Sequence, residues 1–495
     1  MPQIDGELKG AQLESLSSTS PTPAARGRVY LDISGGSSLG VPKIYTGSGW
    51  NALRMGNNTV YDAGNSSTAI TINWSNGLLQ KLTLTGHCAV TFSNPVAGED
   101  HVLLVEQSAS TRYRLWFPYD VGWGRGNPTE PYIPKYGREM FVFKRLPTAV
   151  TTSITLGTVA SPHFITAGNA AGLQFNPVSM MLAGTDASSP YAVLYDADGG
   201  VLGSKFADPA ALPPGTCTDV CFHPSGLAVA YASTASVYNK LYQFRNKVGF
   251  GAAYTETGTD PTGAAQSVSL CEDALAFAHT TTPYVTMYPF TLNGGAGTKA
   301  TNSGTLPAGN GLACRFRPQG DYLAVGYTGS PYFYVYPSAA GVFGSPISAP
   351  GTAPSTNVSV LAWSPSGNYL AVGGAITNSI LVYPFAAGVF GTVLTYESGS
   401  AAPASAAVAA CWTPDGRYLL VATASNDLSI YFVNDSGKLQ TFGGTGPTVG
   451  FSPTGISVSC DGEMIAIARA ASTDIYYVNA PKAARNWYGR RLMSF

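Results

Sequence analysis

The chain has 495 residues, too many for one ordinary domain, so two or three are expected. Charged residues make up 11% of it, less than half the usual share. The net charge is −1 with no basic block, which excludes an electrostatic nucleic-acid footprint. Gly, Pro, Ser, Thr, Ala and Tyr fill the vacated places, a mixture that suits short strands and tight turns and points to an all-β fold.

The N-terminal MPQIDGELKGAQLESL lacks the apolar stretch of a signal peptide, and no run reaches the length of a membrane span. Synthesis in a cytoplasm without membrane insertion is the expectation. Residues 1–56 begin as a polar, Pro/Ser/Thr-rich arm and continue as RVYLDIS…PKIYTGSGWNALR, which reads as a strand, a Gly-rich loop, a strand and a turn ending at Trp50. Such a hairpin is marginal alone and calls for a partner chain. Residues 57–157 alternate apolar and polar positions, with turns at Ser75-Asn76-Gly77, Gly86 and Asn94-Pro95.

From residue 158 to 495 the chain repeats. Residues 361–385, LAWSPSGNYLAVGGAITNSILVYPF, have relatives at 314–336, CRFRPQGDYLAVGYTGSPYFYVY, and at 411–432, CWTPDGRYLLVATASNDLSIYF. With the residue before the turn as anchor, seven copies fall at Phe175, Phe222, Leu270, Phe316, Trp363, Trp412 and Val458, at intervals of 46 to 49 residues. Each copy holds an apolar strand, a Pro/Gly turn, a second apolar strand, a Ser/Thr loop and an aromatic strand. Better copies add a fourth strand, as in GVFGTVLTYESG. Four antiparallel strands per repeat form the unit of a β-propeller, here expected to have seven blades. Segment 160–170 is expected to complete the ring beside the last copy, and NWYGRRLM near the C-terminus to complete the last blade, with Arg490 and Arg491 at its edge. The alternative for that basic tail is docking against an acidic neighbour.

Few residues point to chemistry. Cys217 and Cys221 would lie four residues, roughly 13 Å, apart on one strand, so buried free thiols are expected and no disulfide. The histidines His87, His101, His163, His223 and His279 show no ligand spacing, and His223 reads as a variable turn residue. Asp196-Ala-Asp198 lacks the further ligands of a calcium loop and reads as a hairpin turn. Gly-Gly-Thr-Gly-Pro-Thr (443–448) is followed by no Lys-Ser/Thr, so it is no phosphate cradle. Asp321, Asp415, Asp461 and Glu463 read as solvated turn residues. The aromatic strand ends Tyr332, Phe333, Tyr334, Tyr336, Tyr383, Phe385, Tyr476 and Tyr477 read mainly as packing, with sugar stacking as the alternative. No catalytic residue, cofactor or metal is assigned.

The repeats resemble WD-repeat-like propellers in their F/W-S/T-P-D/S-G turn followed by YLAVG. The Trp-Asp dipeptide of that family is missing from every copy, and Val-Tyr-Pro stands near its place at 335–337 and 382–384. A second resemblance covers residues 1–157. AQLESL…PTPA…GRVY and KIYTGSGWNAL are similar to the N-terminal segment of tailed-bacteriophage fibre and appendage proteins. INWSNG…QKLTLTG…TFSNP, with Trp116 and Trp123, looks like their small β-sandwich module. The resemblance implies a virion anchor at 1–56 using Leu13, Leu16, Tyr30, Tyr45 and Trp50. It also implies a β-sandwich stalk or collar at 57–157, and a propeller displayed for adhesion to host-surface glycan or protein or for particle decoration. By the same analogy the chain is a homotrimer, bound to other virion proteins in the tail, neck or capsid. The alternatives are a phage-borne polysaccharide-degrading enzyme and a bacterial protein-interaction scaffold.

Overall fold

The computed structural model describes residues 29–32, 41–45, 50–52, 60–107, 112–117, 121–123, 133, 137–150, 155–158, 171–197, 202–255, 260–442, 452–469, 472–479 and 485–494, apart from positions 67, 97, 98 and 426. The chain divides into two compact units, one of residues 1–113, 133–149 and 486–495, the other of residues 114–132 and 150–485.

In the first unit, Val29–Asp32, Val41–Tyr45 and Trp50–Ala52 form an antiparallel three-stranded sheet in chain order, so a third strand is added to the expected hairpin. The next strands alternate between two sheets. Tyr61–Ser66, Leu79–Leu84 and Asp100–Gln107 pair parallel in one sheet, while Ala69–Asn73 and Cys88–Ser93 pair parallel in the other. The expected turns are therefore crossovers. Each carries the chain to the opposite sheet, and the strands it joins do not pair, because parallel neighbours need a connection long enough to return. Arg138–Val150 adds antiparallel to Asp100–Gln107, opposing Phe143 to His101.

Alternation sorts the side chains of the smaller sheet, while Asp100–Gln107 in the larger one is buried on both faces. Ile72, Leu82, Leu84, Val90, Leu103, Val105, Phe141 and Phe143 are buried, and Trp74 packs 5.5 Å from Phe92 and 4.8 Å from His101. On the other face of the larger sheet Leu79, Val102 and Met140 form a second apolar cluster, flanked by the pairs Lys81–Asp62 at 3.5 Å and Arg138–Glu106 at 3.0 Å.

The second unit holds a propeller-like ring of six four-stranded antiparallel blades. Their first strands are Cys217–Phe222, Ala265–Leu270, Gly311–Phe316, Val358–Trp363, Ala407–Trp412 and Pro453–Val458, which number blades 1 to 6. The first sequence copy forms a three-stranded antiparallel sheet, Leu173–Phe175, Met181–Thr185 and Ala192–Asp196. One face of that sheet packs on blade 6, through Leu173, Leu182, Met464 and Ala466; the other packs on blade 1, through Met181, Ala183, Val220 and Tyr231. Every anchor residue is the last residue of a first strand.

One expectation about ring closure is corrected, and the other falls outside the described residues. The outer strand of blade 6 is Thr155–Thr158, pairing with Ser472–Asn479, and residues 160–170 lie outside the described residues. The C-terminal Arg485–Ser494 takes no place in that blade and lies beside Arg138–Val150 in the first unit. Thr155–Thr158 already fills the blade's outer edge.

The second strands are buried on both faces: Leu323, Ala324 and Val325 are fully enclosed. Gly326 shows why the position beside them is small. A Cβ there would stand 2.5 Å from the Val358 carbonyl oxygen of the next blade. The third-strand tyrosines are buried for a different reason. The hydroxyls of Tyr242, Tyr336, Tyr383 and Tyr431 donate to Ala211, Thr305, Thr352 and Ala401 carbonyls, at 2.6 to 3.1 Å. Each bond pins the loop that enters the same blade, so the tyrosine of Val-Tyr-Pro is a tether. Burial pushes the Tyr431 hydroxyl up to about 12.

Candidate functional site

The first strands of all six blades and of the three-stranded sheet line one channel, of about 150 Å³. Most of its wall is small or hydroxyl-bearing: Gly172, Thr218, Ser359, Ala409, Thr454 and Gly455. The charges are confined to blades 1 to 3. Arg315 Nη1 meets Asp219 Oδ2 at 2.8 Å across two blades, and donates to Ser267 Oγ at 2.8 Å and to the Val268 carbonyl at 3.0 Å. Asp219 accepts in addition from Ser267 Oγ at 2.7 Å, from Val220 N at 2.9 Å and from Val268 N at 3.1 Å.

Burial opposes the Arg315 charge, but the Asp219 carboxylate in front of it outweighs that and holds the guanidinium above its ordinary range. Cys314 beside it is fully buried, and burial pushes its thiol up to about 12. An acid locked to an arginine and a serine already donating to that acid make a cross-brace. Nothing in the set pairs a nucleophile with a free base.

A second set of polar groups joins neighbouring sheets at one repeated position, the residue before the anchor. Ser457 Oγ accepts from Phe175 N at 2.9 Å and Ser269 Oγ from Phe316 N at 2.9 Å. Gln174 accepts from Phe222 N, and Cys221 Sγ from Leu270 N at 3.3 Å. Where the anchor is tryptophan, the indole does this work. Trp363 Nε1 donates to the Arg315 carbonyl and Trp412 Nε1 to the Ala362 carbonyl, both at 3.1 Å.

The position after the anchor makes a third set. Asn176 Nδ2 donates to the Gly226 carbonyl at 2.9 Å, His223 Nε2 to the Glu272 carbonyl at 3.1 Å and Arg317 Nε to the Gly367 carbonyl at 2.9 Å. His223 is thus a buried inter-blade clamp, its Nδ1 accepting from Ser225 N at 3.1 Å. Its place at a turn position that varies between copies gave no sign of this role. Asp461 is buried and accepts from Glu463 N, while Asp321 pairs with Arg317 at 2.7 Å. Asp196 is the acid partner of Lys247, at 3.0 Å.

Of the residues expected to anchor the chain, Leu13 and Leu16 lie outside the described residues, as does the 443–448 segment. Tyr30 opposes Lys43, and Tyr45 opposes Trp50 across adjacent strands, so the backbone brings together only the last two. Phe333, Tyr336, Tyr383 and Phe385 are core residues. All seven cysteines are free, and no group of three metal-binding side chains occurs among the described residues.

The Asp219–Ser267–Arg315 brace was missed in sequence. Its signal was a lone charge inside an otherwise apolar first strand, as in LACRF and TDVCF. The partners stand 96 residues apart and meet only when three blades are in place.

The fold and the channel define an all-β protein built on a propeller-like ring with a braced axis. No protein-family model matches the chain, and no curated protein matches it at a significant level.

Proposed function

We propose that the chain is a structural virion protein of a tailed bacteriophage. Its N-terminal region anchors it to the particle, and its ring is displayed for attachment to the host surface. The observation that carries this reading is the order of parts: a segment resembling fibre anchors, then a stack of parallel strands, then a ring whose axial charges are bonded to one another. A ring stitched at both the anchor and its neighbours suits display, where a fixed shape matters more than motion. The three-stranded sheet acts as a seventh blade, since it is packed on both sides as the others are. The small sheet of residues 29–52 needs a partner to hold it, which fits a homotrimer joined to other virion proteins through this region.

Electron cryomicroscopy of purified particles from cells that make the chain tests the proposal. The expected result is density for three rings at each attachment point. Recovery of the chain only as free protein, with none on particles, overturns it.

A further inference from the structure

In each of the first four repeats the loop from the second to the third strand ends in tyrosine: Tyr191, Tyr238, Tyr284 and Tyr332. All four have left-handed backbone angles, with φ of 66°, 65°, 66° and 73°. A side chain bulkier than that of glycine is strained in that region. Each tyrosine closes its loop by the same bond, its carbonyl accepting from the residue that ends or follows the second strand: Asp186, Ser233, His279 or Tyr327.

The loop does not need the ring. In blade 4 the same position is Ser379, with φ of 62°, and its carbonyl accepts from Gly374 N in the same way. The fold forms with serine here, so closing the loop does not require a tyrosine; Tyr191, Tyr238 and Tyr332 rest partly against the core and leave the rest of each ring open. All four are half-buried. Their rings make no ring–ring contact and their hydroxyls no hydrogen bond among the described residues.

The surroundings select the ligand. The six described loops of this kind contain no Lys, Arg, His or Glu; their acids are Asp186, which is buried, and Asp427. Apart from the tyrosines, Val237 and Ile376, the rest is Ser, Thr, Ala, Pro, Gly and Asn, as in ASSPY, TTTPY and TGSPY. Loops that enter the blades are bonded to these, Thr216 Oγ1 to the Ala187 carbonyl at 3.0 Å and Thr262 Oγ1 to the Thr282 carbonyl at 2.8 Å, which fixes the platform. A ligand with a negative charge finds no cation among the described residues of these loops. One with flat C–H faces and many hydroxyls finds rings to stack on and neutral donors and acceptors beside them.

We infer that Tyr191, Tyr238, Tyr284 and Tyr332 form an arc that binds a neutral oligosaccharide. The inference rests on the attachment reading above and names its receptor class.

The test uses the full chain on a printed panel of neutral and acidic oligosaccharides. It compares wild type with Tyr191→Ser/Tyr238→Ser and Tyr284→Ser/Tyr332→Ser, which place there the residue that blade 4 carries at this position. Neutral members should bind, and each double variant should lose about ten-fold in affinity. Circular dichroism should show the variants folded. Wild type binding no neutral member, or binding unchanged in both folded variants, overturns the inference. So does tyrosine-dependent attachment that survives periodate oxidation of host-cell glycans, since the receptor is then a protein. Particles that carry a double variant and still attach, when particles without the chain do not, overturn the arc and leave the attachment reading standing.

Discussion

The two ends of the ring are built from the same repeats yet differ in chemistry. At the end carrying the first turns of the blades, charged and polar side chains reach across to the next blade, as Asn176, His223 and Arg317 do. Turns at that end hold Asp321, Asp415, Arg417, Asp461 and Glu463. At the other end the loops between the second and third strands are almost free of charge, and tyrosines stand in strained backbone. At the first end Asn176, His223 and Arg317 are committed to the next blade; at the second the hydroxyls of the four tyrosines make no hydrogen bond among the described residues. Surface chemistry spent on neighbours marks a joint, and surface chemistry left over marks a place to bind.

Breaking a joint should therefore cost stability. Arg317 donates to Gly367, pairs with Asp321, and stacks 5.3 Å from the Phe385 ring. Arg317→Ala leaves Asp321 without its cation and the Gly367 carbonyl without its donor. The expected loss is about 3 kcal/mol in urea unfolding. Arg317→Lys should recover less than half of it, because an ammonium cannot serve both partners in one plane. A loss below about 0.5 kcal/mol would place this arginine among ordinary exposed ion pairs.

This division explains what could be read in the sequence. The repeat was legible because strands, turns and anchors recur every 46 to 49 residues, and burial follows from that pattern alone. The clamps were not. Asn176, His223 and Arg317 occupy one repeat position but differ in type, so only their shared acceptor, a carbonyl in the next blade, reveals the common role. The tyrosine arc was half visible as Ser/Thr-Pro-Tyr in three copies, but its left-handed backbone and the matching Ser379 loop are properties of the fold. Parallel pairing in the first unit was hidden for another reason: alternating strands with polar turns look the same whether the chain folds back or crosses to a second sheet.

Acid should act on the uncharged end of the ring through one buried group. His279 ends the second strand of blade 2 and shares a 2.7 Å hydrogen bond with Thr286. Burial holds its imidazole down to about 4, from an ordinary 6.5. The folded-state value is the lower one, so between pH 6.5 and about 4 the unfolded chain takes up the proton first and stability falls as pH falls. At pH 5 the loss from this group should be about 2 kcal/mol relative to pH 8. His101, also lowered by burial, adds a smaller loss in the first unit. Urea unfolding of the wild type and His279→Gln at both pH values separates them. The variant should lose about 2 kcal/mol less on acidification, and equal losses would mean that His279 already carries its proton in the fold.

The smallest effect belongs to the indole bonds, and it sharpens the comparison most. Trp363→Phe keeps an aromatic ring against Phe385, 5.0 Å away, and removes only the N–H that donates to the Arg315 carbonyl. Trp412→Phe does the same to the Ala362 carbonyl at the next interface. Each should cost about 1 kcal/mol, the net value of one intramolecular hydrogen bond. Because the two bonds serve different interfaces, the double variant should lose the sum. A double loss well above the sum would mean that neighbouring interfaces support each other around the ring. The stitched end would then act as one cooperative hoop, and the tyrosine end would ride on it as a surface free to change.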